Sequence, residues 1–265
     1  MPVSASGLYH ELLGPAGAPP LILSSGLGGS AKYWEPNLPA LTARFRVILY
    51  DHRGTGRSDR ALQDTFTVEH MADDMIGLLK ELGIASAHVI GHAAGGVAGL
   101  AMALKAPETV TTLVVVNGWS QPEPHFLRSF ETRITLLRDS GLDAFLRAQP
   151  IFLYPADWIS ENMDWLDQEA EHQRKNFPGT ETTLQRIAAL GAFDISARLG
   201  NITCPVLALA AADDMLVPSN ASERLAGGLP HGMLARQYRG GHACNVTDPE
   251  TFNEIVLDWY DSLES

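Results

Sequence analysis

Cysteine is nearly absent from this chain of 265 residues, which has only Cys204 and Cys244. One pair so far apart cannot make a disulfide framework, so the fold must rest on an apolar core, with reduced thiols expected. Cations are also scarce: 19 Lys and Arg stand against 31 Asp and Glu, a formal net charge of −12. Nucleic acid and anionic membranes both require a basic face, so neither is an expected partner. No apolar run approaches the roughly 18 residues of a membrane span. The opening Met1 to Gly7 lacks the basic and apolar stretches of a secretory signal, which makes the cytoplasm the expected location. His10, His70, His88, His125, His172 and His231 follow no metal-ligand spacing, and no metal or other cofactor is expected.

What is present is the composition of an ordinary globular protein, 45% apolar and 19% charged, long enough for a large core. Short β-branched runs alternate with helical patterns, which predicts a mostly parallel sheet with helices on both faces. Strands are expected at Leu21 to Ser24, Val47 to Asp51, His88 to Gly91, Leu113 to Asn117, Val206 to Ala210 and Leu234 to Tyr238. Val68, Met71, Met75, Leu78, Leu79 and Leu82 share one helical face, with Thr67 to cap its start and Gly83 to end it. Ala94 to Lys105 reads as a second helix, small-residued enough to pack close on a sheet. Asp248-Pro249 opens a last one. From about Ser120 to Leu199 no strand is convincing, and the segment is too long for a loop. It predicts a helical cap, residues 120–199, inserted into an α/β core made of residues 1–119 and 200–265.

One turn carries most of the chemical information. In Gly91-His92-Ala93-Ala94-Gly95, strand, glycines and helix match G-x-S-x-G, the strained turn that lifts a nucleophilic serine clear of a sheet. Here Ala93 stands at the serine position, and a methyl group cannot attack a carbonyl. Asp214 follows a predicted strand, and His242 lies between the last strand and the last helix. The chain order of elbow, acid and histidine is the α/β-hydrolase order. Asp213 is the competing acid, with Asp214 preferred for its spacing to Pro218. Backbone amides of Ala94 and Leu27 are the expected oxyanion donors, Leu27 lying in the turn Ser25-Gly26-Leu27-Gly28-Gly29. Ser25, Gly26, Trp34 and Trp119 are candidate pocket residues. His92 and the loop Asp51 to Ser58 read as scaffold, and Cys244 as a small buried residue rather than a catalytic thiol.

Over nearly its whole length the chain resembles an α/β-hydrolase. Within that fold it is similar to the carbamate or aminoacrylate hydrolases of the Rut pathway of uracil degradation. The segments that carry the likeness are Ser25 to Ser30, Gly91 to Ala93, Val116 to Trp119, Ala148 to Pro150, Phe152 to Trp158 and Gly240 to Asn253. The resemblance implies that alanine at the elbow is natural. It also implies a small labile C–N compound as substrate, with His242 and Asp214 acting on water. Losing a nucleophilic serine costs roughly a millionfold in turnover, and the remaining groups keep about 10³ to 10⁴ over water, enough only for a fragile substrate. Such substrates carry a carboxylate-type group, so a cation is expected in the cap: Arg133, Arg138, Arg147, Lys175 and Arg186 all qualify. An esterase whose serine was replaced by engineering and a non-catalytic ligand carrier stay open as alternatives. The expected partner is a small-molecule substrate, and a homodimer is left open.

Overall fold

The computed structural model describes residues 3–264. Seven strands form one sheet: β1 (His10–Leu13), β2 (Pro20–Ser24), β3 (Arg46–Tyr50), β4 (Ala87–His92), β5 (Val110–Val116), β6 (Val206–Ala211) and β7 (Gly232–Gln237). They lie in the order β1-β3-β2-β4-β5-β6-β7, all pairs parallel except the antiparallel β1 and β3. Each predicted strand is present, with bounds shifted by up to three residues. β1 was not expected. Its four residues, His-Glu-Leu-Leu, are half exposed and show no alternation, as suits a short edge strand.

Helices α1 (Leu38–Thr42), α2 (Val68–Glu81) and α3 (Ala94–Lys105) come before β5, apart from it in sequence order. Between β5 and β6 lie α4 (Pro124–Thr135), α5 (Leu142–Leu153), α6 (Ala156–Glu161), α7 (Met163–Lys175) and α8 (Thr180–Ala192). After β6 come α9 (Asn220–Gly228), α10 (Cys244–Thr247) and α11 (Pro249–Glu264). α2 starts where expected, and the Thr67 N–H donates to Nδ1 of His70, three residues into the turn. Gly83, just past its end, has φ 69°, the left-handed conformation that favours glycine there.

Alternate residues of the central strands feed two apolar layers, because a parallel sheet is buried on both faces. Ile22, Ile48, Val89, Leu113 and Val115 pack with α2, α3 and the base of the helices from 124 to 190. Leu21, Leu23, Val47, Ile90, Val114 and Leu209 pack on the other side with Phe252, Val256 and Trp259 of α11. The carboxyl ends of β2, β4, β6 and β7 open on the same edge of this sheet, and the α4–α8 segment leaves and rejoins the chain there. An open α/β sheet places its ligand site at that edge.

Candidate active site

β4 passes into α3 through Ala93, whose φ of 46° and ψ of −105° are far from ordinary backbone. A residue with a side chain holds such a conformation only at a cost of order 1–3 kcal/mol. The turn is this tight because α3 folds straight back over the sheet. A Cβ on Gly91 would strike the backbone of Gly95, and one on Gly95 would strike the backbone of Ser24 in β2. The geometry that presents a nucleophile is therefore preserved around a methyl group.

The loops after β6 and β7 bring the acid and the histidine together. Asp214 Oδ2 lies 2.7 Å from His242 Nδ1, and both residues are buried. The other oxygen of Asp214 accepts from the N–H groups of Leu216 (2.7 Å) and Val217 (2.9 Å), so the carboxylate is held at both ends. A carboxylate only accepts, which puts the proton on Nδ1 and leaves Nε2 as the basic nitrogen of the neutral ring. Asp213 takes a different part: it accepts from the N–H of Gly241 (2.9 Å) and ties the histidine loop in place. The carbonyl of His242 accepts from Asn117 Nδ2 (2.9 Å) and from His92 Nε2 (2.7 Å). Burial, helped by the neighbouring His242, pushes His92 well below the usual histidine range, so it stays neutral. Its ring stacks on Tyr33, 4.8 Å between centroids.

A cavity of about 590 Å³ lies between these groups and the helices α4, α5, α7 and α8. Ser25, Gly26, Leu27, Ala93, Ala94, Trp119, Arg133 and His242 all line it, and Asp214 stands behind His242. Ala94 is the first residue of α3, where an N–H has no partner within its helix. The Leu27 loop is fixed from the cap, since Arg186 Nε donates to the Leu27 carbonyl (3.3 Å). Trp34 is a correction. It is fully buried against Phe252 in the core below, and its neighbour Tyr33 lines the cavity instead, with its hydroxyl donating to Asn245 (2.7 Å). Of an adjacent aromatic pair, the larger indole filled the core. Cys244 is buried, and burial pushes its thiol up, away from thiolate chemistry.

The five candidate cations separate cleanly. Arg138, Arg147 and Lys175 are exposed and do not reach the cavity. Arg186 lines it but donates to His52 Nδ1 (2.9 Å) and to the carbonyls of Leu27 and Arg53. Arg133 is buried on the cavity wall, with Nη2 donating to Gln149 Oε1 (2.7 Å). Helical spacing could have singled it out: Phe126, Phe130, Arg133 and Leu137 recur at intervals of four, three and four, one inward face of α4 and the turn that continues it. Gln149 carried no such signal. Four residues that line this cavity carry a buried polar atom with no hydrogen-bond partner among the described residues: Ser25 Oγ, His92 Nδ1, Trp119 Nε1 and Arg133 Nε.

Known proteins similar to the chain agree with this architecture. A family model described as the alpha/beta hydrolase fold matches residues 19–249. A protein of Caulobacter vibrioides named "Putative carbamate hydrolase RutD" is 55% identical over 258 residues, covering 97% of this chain and 96% of that protein. One of the same name from Pantoea ananatis is 47% identical over 254 residues, covering 95% and 92%. Among solved structures, a hydrolase from Pseudomonas aeruginosa superimposes with a TM-score of 0.86 at 26% identity, covering 96% of this chain and 94% of that one.

Proposed function

The chain belongs to the α/β hydrolase family, and from that premise we propose that it hydrolyses a small, labile C–N compound, a carbamate or 3-aminoacrylate, in the degradation of pyrimidine nitrogen. The observation that carries this reading is the hydrogen-bonded Asp214–His242 pair on a cavity whose elbow residue, Ala93, has no nucleophilic atom. The names of the relatives that share about half the sequence support carbamate as one candidate.

Alanine in place of serine leaves room beside His242 for a water molecule. Asp214 keeps the proton on Nδ1, so Nε2 is the base that takes a proton from that water and returns it to the departing nitrogen. With 3-aminoacrylate, the enamine first tautomerises to the imine by protonation at C2. Water then adds to C3, and the resulting carbinolamine releases ammonia and leaves a 3-oxo acid. With carbamate, proton delivery to nitrogen releases ammonia and carbon dioxide. On the 3-aminoacrylate route, the amides of Ala94 and Leu27 donate to the carbinolamine oxygen, which carries negative charge as its proton is lost and ammonia departs. Without a covalent intermediate the site supplies a modest acceleration, which matters only for substrates already close to decomposing.

The test is an ammonia-release time course with freshly generated carbamate and, separately, freshly generated 3-aminoacrylate, each beside a protein-free control. The reading expects at least one of the two to be consumed faster with protein. Curves that overlay their controls for both compounds remove it.

A further inference from the structure

Beside the carboxylates Glu11, Glu35, Asp51 and Glu169, four Lys and Arg side chains line the cavity: Lys32, Arg57, Arg133 and Arg186. Three have their charge or their donors engaged. Lys32 pairs with Glu169 (3.8 Å), and Arg57 pairs with Asp51 (2.8 Å) and Glu11 (3.1 Å). Arg186 spends its guanidinium on His52 and two carbonyls. Arg133 differs from all of them. It is 4% exposed, has no carboxylate partner, and donates to one neutral oxygen, that of Gln149. Its Nε has no partner among the described residues. Burial without a counter-ion pulls its pKa down to about 10, so it is still a cation at neutral pH.

A buried charge left without a partner is expensive, and folded proteins keep one mainly where a ligand completes it. The surroundings of Arg133 leave little else for it to bind. The rings of Phe130, Phe145 and Phe152 lie 4.9, 5.7 and 5.9 Å from its guanidinium carbon. Aromatic faces steady a cation but accept no proper hydrogen bond, so the donors at its edge stay unspent. A planar fork of N–H groups matches a carboxylate, which it binds through two parallel hydrogen bonds. Gln149 fixes the orientation of that fork from the neighbouring helix.

We propose that Arg133, oriented by Gln149 and enclosed by Phe130, Phe145 and Phe152, is the carboxylate receptor of this cavity. It binds the acid group of the substrate and of stable small organic acids. This rests on the cavity being the substrate site, as read above. The Asp214–His242 pair and Arg133 are separate groups, held by the core and by the cap. In 3-aminoacrylate the acid group that Arg133 would hold is distinct from C3, the carbon that water attacks, whereas in carbamate the acid carbon is itself the reacting carbon.

The probes are acrylate, a stable three-carbon acid, and acrylamide, its neutral counterpart, titrated into the full-length protein by calorimetry. The proposal expects acrylate to bind and acrylamide to bind at least tenfold more weakly. Arg133→Gln should weaken acrylate at least tenfold, Arg133→Lys should recover part of the loss, and Arg138→Gln, an exposed position off the cavity, should leave acrylate affinity within about twofold. If Arg133→Gln fails to fold, the wild type still decides. Its Arg133 Nε–H signal, seen by nitrogen-15 NMR, should shift with acrylate and not with acrylamide. No acrylate binding by the wild type, equal affinity for the two probes, or unchanged affinity in Arg133→Gln overturns the proposal. Its fate is separable from that of the hydrolase reading. Arg133-dependent acrylate binding without turnover of either C–N compound would leave the receptor standing and remove the activity, and turnover indifferent to Arg133 would do the reverse.

Discussion

At position 93 the backbone holds a conformation that α/β hydrolases use to present a hydroxyl, and the side chain has none to present. The glycines on either side are sterically required whatever residue stands between them, so the strain belongs to the strand–helix junction itself. Ala93→Ser should therefore need no rearrangement. It is expected to confer slow hydrolysis of p-nitrophenyl acetate, with an acyl-protein visible by intact mass, and to occupy the place of the water in the proposed reaction. A variant inert toward the ester would show that His242 does not address the elbow residue. Much of this residue-level chemistry was legible in sequence, because G-x-A-x-G, an acid after a strand and a Gly-Gly-His loop each have fixed places in one chain order. The choice between Tyr33 and Trp34 was not. Both are aromatic and adjacent, and only the volume available beside Phe252 decides which one is buried.

Among the elements, the contact between α8 and the core loops holds the site together. Arg186 reaches from the cap to His52 and to the carbonyls of Leu27 and Arg53. His52 in turn hydrogen-bonds Ser24 (3.1 Å), whose hydroxyl also meets that of Tyr50 (2.7 Å). Arg186→Met keeps the bulk of the side chain but strands one buried acceptor, His52 Nδ1, at about 1–3 kcal/mol, and two partly buried carbonyls at less, partly offset by no longer burying the charge. A net loss of about 2–4 kcal/mol in urea denaturation is expected, together with a raised KM as the Leu27 loop loosens. A variant as stable as the parent would show that the cap is held by its apolar contacts alone. β2, β3, β5 and β6 were readable as apolar runs bounded by turns, while β4 and β7 carry polar residues around shorter apolar stretches. β1 was not, since an exposed four-residue edge strand has neither run nor alternation. The inward face of α4 lay in plain view in its spacing, whereas the partnership of Arg133 with Gln149 depends on how α4 and α5 pack, which no local pattern encodes.

For the molecule as a whole, two buried histidines tie stability to pH. Burial pushes His52 well below the ordinary histidine range, with Arg186 adding to the effect, and His92 is depressed in the same direction. A base whose folded pKa is depressed is neutral in the native state while the unfolded chain takes up its proton near pH 6.5. The stability it contributes is complete above that pH and is lost as pH falls below it. Each histidine should contribute up to about 1.4 kcal/mol per pH unit between pH 6.5 and 5, before most carboxylates titrate. Thermal melts from pH 7.5 to 5 check this: the melting temperature should hold near the top of the range and fall toward the bottom. A flat profile would mean that both rings take up protons in the native state as readily as in the unfolded chain. The cavity between helices α4–α8 and the sheet belongs to this scale too, and nothing in the linear sequence measures its volume.

The central claim is that an imidazole held by a carboxylate activates water where no nucleophile exists. It is tested most directly by ammonia release from 3-aminoacrylate and from carbamate with the native protein, with His242→Ala and with no protein, under one set of conditions. For the compound that the native protein consumes faster than the control, His242→Ala should fall onto the protein-free curve. If His242→Ala matches the native protein on that compound, the general-base role is wrong.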